Sequence, residues 1–264
     1  MLNAQDLKIT FNPGTPIETR ALRGASLAIP AGEFVTVIGS NGAGKSTFLN
    51  AISGDLMVDS GSIVIDGEDM TRKPVWERAS RVARVFQDPM AGTCEDLTIE
   101  ENMALAHERG NFRGLKKAVK TAHRALYRER LATLGLGLEN RLTDRIGLLS
   151  GGQRQAVSLL MAALQPSRIL LLDEHTAALD PRTAEFVLGL TARIVEESKL
   201  TTMMVTHSMR QALDVGDRTV MLHQGRVVLD VAGDTRRGLE VPDLLAMFEK
   251  VRGEELADDT LLLG

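Results

Sequence analysis

Apolar residues in this chain come in short runs, and the runs change character twice along its length. Phe34 to Ile38 is a β-rich run that ends at a glycine-rich segment. Ile63 to Asp66 is a second β-type run, and Asp66-Gly67 after it is a hairpin-turn signal, so the chain up to about Gly67 reads as strand-rich. From about Glu95 to Leu164 helical composition takes over, with helical spacing over residues 114–134 and 153–164. Beyond Pro166, Arg168–Asp173 reads as a strand, 181–198 as a helix and 201–206 as a strand again. That alternation predicts a parallel sheet covered by helices. Thr219–Leu222 and Arg226–Leu229 flank His223-Gln224-Gly225, which predicts a hairpin near the end. No internal repeat or low-complexity segment interrupts the pattern.

Composition narrows the class. The 264 residues are 44% hydrophobic and 25% charged, ordinary for a soluble globular protein large enough to bury its core without disulfides or metal. A net charge of -4 gives no global field toward nucleic acid. The single cysteine, Cys94, cannot form an internal disulfide, which suits a reducing cytosol. Asp6 and Lys8 fall where an export signal needs apolar residues, and no apolar run approaches the ~18 residues of a membrane span. The expectation is a cytoplasmic protein that reaches a membrane only through another chain.

Two segments carry chemistry. Gly39, Ser40, Asn41, Gly42, Ala43, Gly44, Lys45, Ser46 and Thr47 fit G-x-x-x-x-G-K-[ST]. The glycines let the backbone turn so that successive N–H groups surround a phosphate, and a helix over roughly Lys45 to Ser53, stopped by Gly54, points its positive end at the anion. Lys45 is expected on the β- and γ-phosphates and Ser46 on magnesium. Arg168 to His175, RILLLDEH, places four consecutive apolar residues before Asp173 and Glu174. Such a strand suits the centre of a parallel sheet, and its carboxyl end is where ligands bind. Asp173 is the candidate magnesium ligand, and Glu174 the group that accepts a proton from the attacking water or orients it.

Leu149 to Gln155, LSGGQRQ, resembles the signature sequence of ABC-type ATPases. Ser150 is also a good N-cap, and the glycines leave backbone N–H groups open ahead of a helix. Other segments resemble family elements in the expected order over nearly the whole chain. Val85-Phe86-Gln87 is similar to the segment whose glutamine senses magnesium and links the core to a helical subdomain. Ala178-Leu179-Asp180 is similar to the loop that crosses the dimer interface, and His207 to the switch histidine on the γ-phosphate. Each has a plainer reading: a surface amide for Gln87, an N-cap before Pro181 for Asp180, a structural histidine at a strand end for His207. Where many family members have proline after the acidic pair, this chain has His175, which puts the loop's local shape in question.

The resemblance implies an α/β P-loop NTPase of ABC type. A mostly parallel RecA-like sheet carries an N-terminal antiparallel β-subdomain and an inserted helical subdomain. The whole of 1–264 would be one ATPase domain, with the core and β-subdomain in 1–87 and 166–264 and the helical part in 88–165. It further implies ATP and magnesium as ligands. Two copies would meet head to tail, each ATP lying between one copy's phosphate loop and the other's Ser150, Gly151, Gly152 and Gln153. Partners would be a transmembrane permease and, indirectly, a solute-binding protein, with no nucleic acid. The family stacks adenine on an N-terminal aromatic ring. Of Phe11 and Phe34, the latter reads as core, which leaves Phe11. GLLSGGQRQAVSLLMAAL with DEHTAALDP is similar to ATPases of bacterial amino-acid-type importers, aromatic amino acids included. The basic run of 109–130 reads as a solvated helix face, with lipid headgroups or an anionic partner as the alternative. An ABC-type ATPase acting on nucleic acid or ribosomes is the rival reading, but neither a long coiled coil nor clustered cysteines separates the nucleotide motifs. A GTPase is the second rival, and the chain has no Asn-Lys pair for a guanine-reading motif.

Overall fold

The computed structural model describes residues 1–111 and 117–250. Two sheets organise the chain. The first is antiparallel: β1 (Leu2–Phe11) lies between β2 (Thr19–Ile29) and β4 (Ser60–Ile65), and β5 (Glu68–Asp69) closes the Asp66-Gly67 hairpin. The second runs β10-β9-β3-β8-β7-β6. Its strands β3 (Phe34–Ile38), β6 (Val82–Val85), β7 (Ile169–Asp173), β8 (Thr202–Val205) and β9 (Arg218–His223) are parallel, and β10 (Arg226–Ala232) returns antiparallel through the expected hairpin. Every residue of β3 and β8 is buried, as strands covered on both faces require.

Alternation along those strands divides the interior. Ile169 and Leu171 of β7 face a core shared with the antiparallel sheet and with α1 (Lys45–Ser53). Leu170 and Leu172 face the other way, into a cluster with α3 (Ile99–His107), α4 (Arg124–Ala132), α5 (Gly151–Leu164) and α6 (Pro181–Ser198). α1 stops at Gly54 (φ 87), and α6 begins with Asp180 capping the Thr183 N–H and proline at its first turn, both as the sequence predicts. α2 (Val75–Arg78), α7 (Met209–Asp214) and α8 (Gly233–Arg236) are short.

Three expectations are corrected. The helix predicted over 114–134 is shorter: 117–120 is not helical, one 3-10 turn covers Thr121–His123, and α4 follows, while 114–116 lie outside the described residues. Nor is the basic run uniformly a solvated face. Arg109 donates to the Ala162 and Gln165 carbonyls at the end of α5, Arg124 forks onto Glu100, and Lys120 pairs with Glu108. Tertiary pairing of these charges, which local composition does not encode, decides the backbone here. The helix expected over 153–164 starts earlier, at Gly151, because Ser150 and Gln153 form a reciprocal capping box.

The chain entering α5 is fastened to the chain entering α3. Ile99 N–H donates to Asp144 O, Glu100 to Leu142, Ile146 to Leu97 and Gly147 to Glu95, all at 2.9–3.1 Å. Beneath α1, Arg78 is fully buried and donates to the carbonyls of Ala51, Ile52 and Lys73 at 2.7 Å, so a guanidinium closes the C-terminal end of that helix. No helix among the described residues is long and apolar enough to cross a membrane.

Candidate functional site

The segment between β3 and α1 is forced into shape by its neighbours. Gly39 has φ 151, and a Cβ there would sit 2.2 Å from the Leu222 carbonyl oxygen, so no side chain fits. Gly44 (φ 98) is equally confined, with the Ala21 carbonyl 2.6 Å from where its Cβ would be. The loop therefore wraps tightly over the start of α1. Lys45 is buried, and its ammonium donates to the Gly39 carbonyl at 2.8 Å and the Ser40 carbonyl at 3.1 Å. Burial holds its pKa below the usual lysine value, against the opposing pull of Glu174.

The acidic strand meets this loop. Glu174 is buried, its N–H donates to Val205 O at 2.9 Å, and its backbone is in the left-handed region (φ 46), a strained setting for a side-chain-bearing residue. That geometry places Glu174 Oε1 2.6 Å from Nε2 of His207. Gln211 fastens the loops carrying the two residues, since its Oε1 accepts from both Thr176 and Thr206. His175, in the position that departs from the family, points inward and contacts Thr191 Oγ1 at 2.8 Å.

A cleft of about 610 Å³ opens over these groups. Phe11, Asn41, Gly42, Ala43, Gly44, Lys45, Ser46, Thr47, Gln87, Glu174 and His207 line it, with Arg20, Arg23 and Gln224 at its rim. Phe11 is 37% exposed, whereas Phe34 is in the core. Asp173 lies next to the cleft residue Glu174, with its Oδ2 held by Arg84 at 2.7 Å. Ser150, Gly151, Gly152, Gln153 and Asp180 do not line the cleft. They gather elsewhere: Gly152 abuts Thr183, whose N–H is capped by Asp180, and Gly151 lies against Leu179. The structure thus brings the phosphate loop, the acidic strand and His207 together, and leaves the signature apart from them within the chain.

This arrangement is that of a nucleotide-binding cassette, and comparison identifies which one. Residues 22–177 match the family model described as ABC transporter. The chain belongs to the ABC transporter family. It is an ATP-binding subunit of an ABC transporter, and its enzymatic activity is ATP hydrolysis coupled to transport. The tyrosine transport ATP-binding protein of Clostridioides difficile is 45% identical over 252 residues, covering 94% of this chain and 99% of that protein. The energy-coupling factor transporter ATP-binding protein EcfA2 of Clostridium acetobutylicum is 33% identical over 95% of this chain and 89% of its own length. The thiamine import ATP-binding protein ThiQ of Shigella flexneri is 36% identical over 76% of this chain and 82% of its own. Among solved structures, a dimeric ATP-binding cassette in a post-hydrolysis state with ADP and phosphate superposes with a TM-score of 0.74 at 30% identity, covering 90% of this chain and all of that one.

Arg84, which the sequence does not single out, lies beside the cleft through its bond to Asp173. Its signal was a lone charge within the apolar run Val82–Val85, just ahead of Phe86-Gln87. Gln155, fully buried in α5, donates to the Phe86 carbonyl at 3.0 Å and so ties the signature helix to the strand end bearing Gln87.

Proposed function

We propose that this ATPase works as a head-to-tail homodimer on ATP and magnesium and drives import of an amino acid, an aromatic one, through a separate permease. The separation of Ser150–Gln153 from the phosphate cleft carries this reading: a site using both needs a second copy. A solved relative of the same fold is a dimer, which supports it. The tyrosine-transport relative supports the substrate class, and the thiamine-import relative the direction. The three proteins similar in sequence reported above are all named for transport, which favours this reading over an ATPase acting on nucleic acid or ribosomes. The subunit would sit on the cytoplasmic face of the membrane, held by the permease and served indirectly by a solute-binding protein.

In this mechanism the residues of the cleft divide the work. Phe11 stacks the adenine, and the backbone N–H groups of Asn41 to Thr47 surround the phosphates. Lys45 leaves the Gly39 and Ser40 carbonyls for the β- and γ-phosphate oxygens. Glu174 takes the proton of the attacking water, and His207, 2.6 Å from it, holds both that carboxylate and the γ-phosphate. The donor set suits magnesium: Ser46, Asp173 and Gln87 offer oxygen atoms, and Asp173 Oδ1 accepts no hydrogen bond among the described residues. When bound there, the ion supplies positive charge to the phosphate oxygens. Asp180 and the signature of the partner copy complete the enclosure. Closing the pair moves the helical part, 88–165, against the permease. A groove of about 400 Å³ beside Gln87, between β6 and helices α3 and α5, is the surface on which a permease segment would rest.

The test is a pair of variants and a reconstitution. Glu174→Gln should bind ATP, hydrolyse it very slowly and run as a dimer on size-exclusion chromatography with light scattering only when ATP and magnesium are present. Adding Ser150→Arg should return it to a monomer. In vesicles with its permease and binding protein, the wild type should take up tyrosine or a similar amino acid in step with ATP hydrolysis. A Glu174→Gln protein that stays monomeric at saturating ATP, or hydrolyses at the wild-type rate, overturns the site; uptake of no aromatic amino acid overturns the substrate class.

A further inference from the structure

Arg84 joins the groove to the acidic site. It projects from β6 and is mostly buried, with 13% of its side chain exposed. Nη2 donates to Asp173 Oδ2 at 2.7 Å, and Nη1 donates to Asp55 Oδ2 at 2.7 Å, just past the end of α1. The guanidinium lies 4.5 Å over the Phe86 ring, and Arg84, Asp55 and Phe86 all line the groove. Its Nε is buried without a hydrogen-bond partner among the described residues. A planar fork held at both ends cannot rotate without breaking one of its charge-assisted bonds. Asp173 is consequently fixed in one orientation, with Oδ2 spent on arginine and Oδ1 left over.

Two opposed effects follow for a divalent cation at Asp173. The fixed carboxylate presents a preformed oxygen, which favours the ordered geometry magnesium demands. The guanidinium is also a cation competing for the same carboxylate. A unit charge roughly 6 Å from a divalent ion, in a water-like dielectric, shifts its binding about tenfold. Asp55 moderates this by taking half of the arginine's hydrogen bonding. We infer that Arg84 is a positioning residue of ATP hydrolysis that fixes Asp173 and lowers the site's magnesium affinity, with Asp55 setting how strongly it does so. The inference rests on the reading of Asp173 as a magnesium ligand. It also makes the groove wall a regulator, since any group that draws Arg84 toward the groove loosens its hold on Asp173.

Magnesium titration of binding by a fluorescent ATP analogue reads the effect without turnover, alongside steady-state kinetics on the full chain. Arg84→Met should lower the half-saturating magnesium concentration about tenfold while reducing kcat at least tenfold and leaving the affinity for magnesium-free nucleotide unchanged. Loss of fold would weaken all three together, so tighter magnesium with slower turnover is the distinguishing pattern. Arg84→Lys, which keeps the charge, should retain the wild-type magnesium requirement. Asp55→Asn, a change at a half-exposed carboxylate, should move the other way and raise the requirement about threefold. Unchanged or weaker magnesium binding in Arg84→Met, or a lowered requirement in Asp55→Asn, overturns the role of Arg84. If wild type binds nucleotide without regard to magnesium and Asp173→Asn changes nothing, the magnesium assignment itself falls, and the inference with it.

Discussion

His175 allows a quantitative test of the loop that carries Glu174. Its imidazole is 1% exposed, and Nε2 lies 2.8 Å from Thr191 Oγ1, whose own proton goes to Val187 O at 2.8 Å. The hydroxyl has one proton to give, so the ring donates from Nε2–H. Burial pushes its pKa from 6.5 to about 4. Above pH 6.5 the ring is neutral folded or unfolded and contributes no pH dependence. Between pH 6.5 and 4 only the unfolded chain takes the proton, so stability declines as pH falls, by about 1.4 kcal/mol per unit. From pH 7 to pH 5 the loss from this residue is about 2 kcal/mol, or roughly 4–8 °C in Tm for a chain of this size. Burial and the neighbouring His123 lower the pKa of His107 as well, so the wild type alone does not isolate the effect. His175→Gln does: the amide keeps a donor near the position of Nε2 and takes up no proton in this pH range. Thermal melts of both proteins at pH 7 and pH 5, without nucleotide or magnesium, should show the wild type losing about 2 kcal/mol more than the variant. Equal losses would refute the neutral, buried imidazole.

Further expectations concern the phosphate loop and the helix ends. Lys45→Ala should weaken ATP binding in the presence of magnesium at least tenfold or abolish hydrolysis in a well-folded sample, measured by nucleotide titration and phosphate release. Gly152→Ala places a Cβ 2.1 Å from Thr183 Cγ2 and should cost about 1–3 kcal/mol in a denaturant melt, recovered largely by adding Thr183→Ser, which lacks that methyl group. Arg78→Met fills most of the space but strands the Ala51, Ile52 and Lys73 carbonyls, and should cost at least about 2 kcal/mol; a smaller loss would mean that burying an unpaired guanidinium nearly cancels its hydrogen bonds.

What could be read from the chain in advance was what is local. The phosphate loop, α1 with its stop at Gly54, and α6 with its Asp180-Pro181 start each depend on a few adjacent residues, and they occur where those residues predict. The last hairpin was legible for the same reason, because Gln224 and Gly225 both take positive φ. Residues 117–120 were not, because Lys120 answers to Glu108 at the end of α3, and Arg124 just beyond answers to Glu100, rather than to a helical period. The bond between Arg84 and Asp173 joins residues 89 positions apart, across paired strands, and no spacing rule reaches that far. The inward turn of His175 depends on Thr191 one helix later. Phe11 was found by elimination, and its place on the cleft wall follows from β1 running past the loop, which its own neighbours do not state.

The four backbone bonds joining 95–100 to 142–147 make a crank of that part of the chain. Sliding one strip past the other would require all four bonds to break together, so the strips translate and tilt only as a unit. Cys94 and Thr93, at the head of one strip, line the groove, and Ser150 stands three residues beyond the other. A shove delivered in the groove therefore reaches the signature as displacement instead of being absorbed as slack. Lengthening the chain between Leu148 and Ser150 by a few glycines would leave those four bonds intact, part Arg154 of α5 from the Gly147 and Leu149 carbonyls, and uncouple the stroke.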